Sequence, residues 1–151
     1  MIHVEVQRAT ERQWVPEDGK FLRWASAAAK RDEAELVIRI VDETESAQLN
    51  EYYRHKAGPT NVLSFPFEVP EGIPTQVLGD LVICAAVVER EAHEQGKSLE
   101  AHWAHMVVHG MLHLQGYDHV SETDAAVMEA EEIAILKSLG FPNPYEEIMT
   151  S

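Results

Sequence analysis

The chain has 151 residues, 45% of them hydrophobic, and a formal net charge of −14 at pH 7. That is one domain's length, with enough apolar content for a single core over residues 1–151. Cys84 is the only cysteine, which excludes an intramolecular disulfide and any multi-cysteine zinc site and fits a reducing compartment.

In chain order, Ile2, Val4 and Val6 alternate with polar residues and predict a half-buried strand. Pro16 suits the first turn of a helix running to about Arg31, with Phe21, Leu22, Ala25, Ala28 and Ala29 expected inward. Leu36–Val41 is short and β-branched, hence a strand, and Thr44–Tyr53 reads as a polar-faced helix. Asn61–Phe67 is a third strand, with Leu63, Phe65 and Phe67 expected on one face. Pro66 cannot donate to a ladder, so this strand belongs at an edge. Val77–Ile83, apolar on both faces near its end, is expected at the centre of a sheet. Three helices follow: Ala85–Gln95, stopped by Gly96; Ser98 to Leu114, stopped by Gly116; and Ser121 to Leu139, stopped by Gly140. The class is α+β: a small four-stranded sheet packed with about five helices.

Leu81 to Val88, the longest unbroken apolar run, falls far short of the roughly 20 residues of a membrane helix. The opening MIHVEVQRATERQW has no apolar signal core, so a cytoplasmic protein is expected. Charge is uneven, at +2 over residues 1–31, −8 over 32–97 and −8 over 98–151. Such a balance argues against broad, non-specific binding of RNA or DNA. It leaves room for a local positive site made by a metal or one arginine.

Five of the eight histidines lie between residues 102 and 119. His109 and His113 are one helical turn apart and share a face, so both imidazoles can reach one metal ion. A third ligand from the next turn would sit about 12 Å from the first, by helical rise. The chain must therefore fold back, which Gly116 permits, and His119 follows three residues later. Three imidazoles with no fourth protein ligand leave a position for water, the mark of a catalytic zinc rather than a structural one. His105 is expected to be a partly buried histidine or a support for a ligand, and His102 to lie on the helix surface. Asp118 suits either the orientation of His119 or a turn cap. The zinc-peptidase pattern places glutamate directly after the first histidine, and here Gly110 stands there.

Arg54 and Lys56 form a basic spot in an acidic stretch, ahead of a Gly-Pro-Thr-Asn turn. A guanidinium there can bind phosphate bidentately, although spacing alone suits a solvated loop arginine better. Ser64 has no visible base partner. Asp80, beside an apolar strand, is expected to be buried and satisfied.

HGMLHLQGYDH at 109–119, TNVLSFPFE at 60–68 with Arg54 upstream, and LGDLVIC at 78–84 together resemble the YbeY family of ribosomal RNA maturation endoribonucleases. The resemblance implies an α+β fold with one zinc ion on His109, His113 and His119, and a cleft arginine at Arg54. It also implies cleavage of single-stranded RNA, with small-subunit ribosomal RNA as substrate and the ribosomal small subunit or its assembly factors as partners, and neither DNA nor membrane. Water is the expected nucleophile, because no histidine or carboxylate outside the metal site is an obvious base for a substrate 2′-OH. The alternatives are a metalloprotease-like hydrolase, disfavoured by Gly110, and a non-catalytic zinc-stabilised ribosome assembly factor.

Overall fold

The computed structural model describes residues 1–11, 14–70, 72–118 and 120–145. Among them run β1 (Ile2–Ala9), α1 (Asp18–Ala28), β2 (Ala34–Val41), α2 (Glu43–Arg54), β3 (Val62–Pro66) and β4 (Val77–Cys84), then α3 (Ala85–Gln95), α4 (Leu99–Leu114) and α5 (Glu122–Ser138). The four strands form one mixed sheet in the order β1-β2-β4-β3. β1 and β4 both run parallel to β2, with Val6 opposite Ile38 and Ile38 opposite Leu81. β3 is antiparallel to β4, with Ser64 opposite Leu81. The α+β class, the edge place of the Pro66 strand and the central place of β4 are as the sequence predicts.

β4 is apolar on both faces because both faces are covered. Leu81 and Ile83 point into the main core with Phe21 and Trp24 of α1 and Val107 and Met111 of α4. Val82 and Cys84 point into a smaller cluster with Leu63 and Val41, against which Leu49 of α2 packs. The period of two along the strand thus feeds two cores.

The helix boundaries follow the capping chemistry. Ser98 Oγ accepts from Ala101 N at 3.1 Å, opening α4, and Ser121 Oγ accepts from Asp124 N at 3.0 Å, opening α5. At the end of α4, Gly116 has φ +101°. Its N–H donates to His113 O at 3.1 Å, and that of Tyr117 to Leu112 O at 3.0 Å, which closes the helix in a Schellman motif.

Some burial departs from expectation. On α1 the inward stripe is Phe21, Trp24, Ala25 and Ala28, while Leu22 is 41% exposed, since an i, i+3, i+4, i+7 face excludes it. Phe67 lies beyond the end of β3 and is exposed. Asp80 is exposed rather than buried, because it points away from the core that takes Leu81 and lies outside the smaller cluster that takes Val82 and Cys84. No helix among the described residues is long and apolar enough to cross a membrane.

Candidate functional site

α4 is the central helix, buried along almost all of its second half. At Gly110 it lies against Leu81 of β4. A Cβ built there would lie 2.6 Å from Leu81 Cδ2, inside any tolerable contact. Glycine is therefore the residue that lets α4 settle on β4, and it brings the neighbouring His109 and His113 up to β3.

The two imidazoles converge as the four-residue spacing predicts. Their Nε2 atoms are 3.2 Å apart, with ring centroids separated by 4.6 Å. Two nitrogens sharing a tetrahedral zinc at about 2.0–2.1 Å would stand roughly 3.3 Å apart, so the pair has the separation of a shared cation site. His119 lies outside the described residues. Asp118 Oδ1 accepts from Val120 N at 3.1 Å, the turn-capping use of that side chain.

Behind His109 stands a residue that the sequence reading missed. Glu132 of α5 has no exposure, and its Oε1 lies 2.5 Å from His109 Nδ1. Tyr145 Oη donates to its Oε2, and His105 Nε2 is 3.5 Å from Oε1. Burial pushes the Glu132 carboxyl upward, but the nearby His105 imidazole and the hydrogen bonds with His109 and Tyr145 outweigh it and bring the group down to about 2. The same neighbourhood acts on its partners. Burial, then Glu132, raises the Tyr145 hydroxyl, and burial lowers His105 against the pull of Glu132. An ionised carboxylate only accepts, so His109 carries its proton on Nδ1 and turns the Nε2 lone pair toward His113.

His105, His109 and Glu132 also form a group whose ligand atoms all lie within 4.8 Å of one another and could hold a metal ion. One imidazole cannot bind the same ion through both nitrogens. A cation on Glu132 would use His109 Nδ1, whereas a cation shared with His113 uses Nε2 and leaves Glu132 as the acceptor that orients the ring.

The signal for Glu132 was present in the sequence. The buried positions of α5 are Met128, Glu132, Ile135 and Leu136, at i, i+4, i+7 and i+8. A carboxylate on an apolar stripe must be paired. His102 is corrected in the same way. It is 2% exposed, not on the surface, and its Nε2 meets Glu91 Oε1 at 3.0 Å, because α3 packs over that side of α4.

On its open side the histidine pair borders a cleft of about 570 Å³, lined also by Tyr53 and Arg54 from the end of α2 and by Ser64 and Phe65 of β3. Two buried polar residues of α2 shape this wall. Ser46 Oγ both donates to Thr60 O and accepts from Thr60 N, each at 3.0 Å. Asn50 Nδ2 donates to Gly58 O at 2.9 Å. The loop between α2 and β3 is thereby fastened back onto the helix. Arg54 is exposed at the helix C-terminus, where cationic charge is favoured. Among the described residues no carboxylate forms an ion pair with it. The structure thus brings Arg54 of α2 to one opening with His109 and His113 of α4, which follow it by 55 and 59 positions.

Residues 4–140 match the family described as Endoribonuclease YbeY. The chain belongs to the YbeY family. A protein of Methylococcus capsulatus named Endoribonuclease YbeY is 66% identical over 148 residues, 98% of each chain. The solution structure of TM1509 from Thermotoga maritima shares the fold, with a TM-score of 0.60 and 24% identity over 92% of this chain and 89% of that one. The YbeY match spans the cleft from Arg54 through His113 and includes Glu132.

Proposed function

We propose that this chain is a zinc-dependent endoribonuclease that cleaves single-stranded RNA in the cytoplasm. Its expected substrate is small-subunit ribosomal RNA during 3′-end maturation and ribosome quality control, met on the small subunit or its assembly factors. The observation that carries the reading is the shared cleft. An exposed guanidinium and two converging imidazoles open onto one wall of an edge strand, in a chain whose family and 66% identical relative bear the name endoribonuclease.

His109, His113 and His119 would hold the metal. When bound, such an ion would supply Lewis acidity and make a water-derived nucleophile available near neutral pH. Arg54 binds a phosphodiester oxygen through its planar fork and offsets the charge that grows there as the bond to phosphorus forms. Glu132 keeps His109 in one tautomer and one orientation. Its own oxygens face His109 and Tyr145, so it is no base for a substrate hydroxyl, and water remains the expected nucleophile.

The protease alternative loses ground at Gly110, which stands where the peptidase pattern needs a glutamate and where any Cβ would force the Leu81 side chain to shift. The test is incubation of the zinc-loaded protein with single-stranded RNA and with a peptide panel. RNA is cut, also when the cleaved nucleotide is 2′-deoxy, and peptides are not. Arg54→Ala keeps metal and fold but loses most cleavage, and Arg54→Lys rescues poorly. Unchanged single-turnover rates in Arg54→Ala would remove it from the mechanism. Peptide cleavage with intact RNA would sink the nuclease reading.

A further inference from the structure

Three aromatic rings touch in series, two of them lining the cleft. Tyr52 is 74% exposed and Tyr53 56% exposed, on the last turn of α2. Their ring centroids are 4.8 Å apart at an interplanar angle of 75°. Tyr53 in turn meets half-buried Phe65 of β3 at 5.0 Å and 68°. Single exposed tyrosines are common on any surface. Here the rings are contiguous, Tyr53 and Phe65 meet edge to face, and both line the same cleft as Arg54, His109 and His113. Tyr53 also precedes Arg54 in the chain, and Lys56 follows two residues later, in an otherwise acidic molecule.

We propose that Tyr53, braced by Tyr52 and Phe65, is a stacking platform for an unpaired nucleobase of the RNA strand whose phosphate Arg54 engages. This deepens the reading of the cleft given above and rests on it. The chemistry suits that occupant. An aromatic face next to a cation matches a nucleotide, which presents a π-surface and an anion within one residue. Every base has a π-face, so such a platform accepts any sequence. A paired base within a duplex hides its faces in the stack, so the same platform rejects double strands. Selection for single strands then needs no hydrogen bonds to base edges and no broad basic surface.

The test uses the full zinc-loaded chain and oligoribonucleotides that differ by one abasic position near the cleaved bond. Removing one base at the platform weakens binding to the wild-type protein on the order of 10-fold. Tyr53→Leu weakens binding of the intact strand to a similar extent, raises KM and holds kcat. It is indifferent to the abasic change. Tyr53→Phe, which keeps the π-face and loses only the hydroxyl, behaves as wild type. Tyr52→Leu lowers affinity less, as a brace should. Wild-type RNA binding that is unchanged both by Tyr53→Leu and by abasic substitution at each position around the cut would overturn the platform alone. A wild-type protein that neither binds nor cuts single-stranded RNA would remove the platform together with the reading of the cleft.

Discussion

Glu132 is a carboxylate with no access to water, and its partners decide what its loss would do. In Glu132→Ala, the His109 Nδ1 proton and the Tyr145 hydroxyl lose their acceptor. Leaving these part-buried donors without their acceptor costs about 1 kcal/mol of stability. Zinc affinity falls about 10–100-fold, because an unoriented ring is a poorer ligand. Glu132→Gln retains an acceptor oxygen and falls between the two. Competition with a chromophoric chelator, read beside thermal unfolding, separates the effects, and undiminished zinc affinity in Glu132→Ala would show that the carboxylate does not orient His109. The two candidate metal groups are distinguished by single histidines. Elemental analysis is expected to find zinc lost in His109→Ala, His113→Ala and His119→Ala and retained in His105→Ala. Loss in His105→Ala with full occupancy in His113→Ala would transfer the ion to the His105, His109 and Glu132 group.

Between elements, α4 and β4 meet without spare room where Gly110 faces Leu81. Gly110→Ala drives a methyl group into the fully buried Leu81 side chain. Overpacking of this kind costs roughly 1–3 kcal/mol. Urea unfolding of Gly110→Ala, Leu81→Ala and the double variant should give a double-variant cost smaller than the sum of the singles, and strict additivity would mean that the two do not touch. The joint also shows where sequence is a good guide and where it is not. Gly96, Gly116, Ser98 and Ser121 act through bonds to residues one turn away, so the ends of α3, α4 and α5 could be placed from local signals. His109 and His113 are legible for the same reason. The burial of His102 and the pairing of Glu132 depend on partners 11 and 23 positions away, and local periodicity does not indicate which helix will cover which. Leu22 is apolar but off the buried stripe, on which Trp24 takes the inward position. Asp80 shares a face of β4 with buried Val82 and Cys84 but lies outside their cluster, and no local pattern marks where that cluster ends.

For the whole molecule, acid is expected to loosen the join of α3, α4 and the turn into β3. Glu91 holds that join, meeting His102 Nε2 at 3.0 Å and accepting from Asn61 Nδ2 at 3.1 Å. The His102 hydrogen bond, working against burial and helped by Asn61, keeps the Glu91 carboxyl below the usual carboxylate range. The folded state thus holds this proton more weakly than the unfolded chain does. The stability that results is fully present above about pH 4.5 and is lost as pH falls through the lower folded value. Glu91→Gln should be less stable than wild type at neutral pH, with the gap narrowing below about pH 4.5. Denaturant titrations from pH 3 to 7 measure that difference, and a gap independent of pH would refute it.

The outer edge of β3 has a further consequence, for how copies of the chain behave in concentrated solution. β3 ends the sheet, so among the described residues no strand pairs with its far side. Open edges are templates for a second chain. Pro66 withholds one donor at the end of β3, and a charge of −14 sets two molecules against each other at neutral pH. That mutual repulsion fades as the medium approaches the isoelectric point of about 4.9, while the edge stays as it was. Colloidal stability is then at its weakest in mildly acidic buffer, where copies can join strand to strand while still folded.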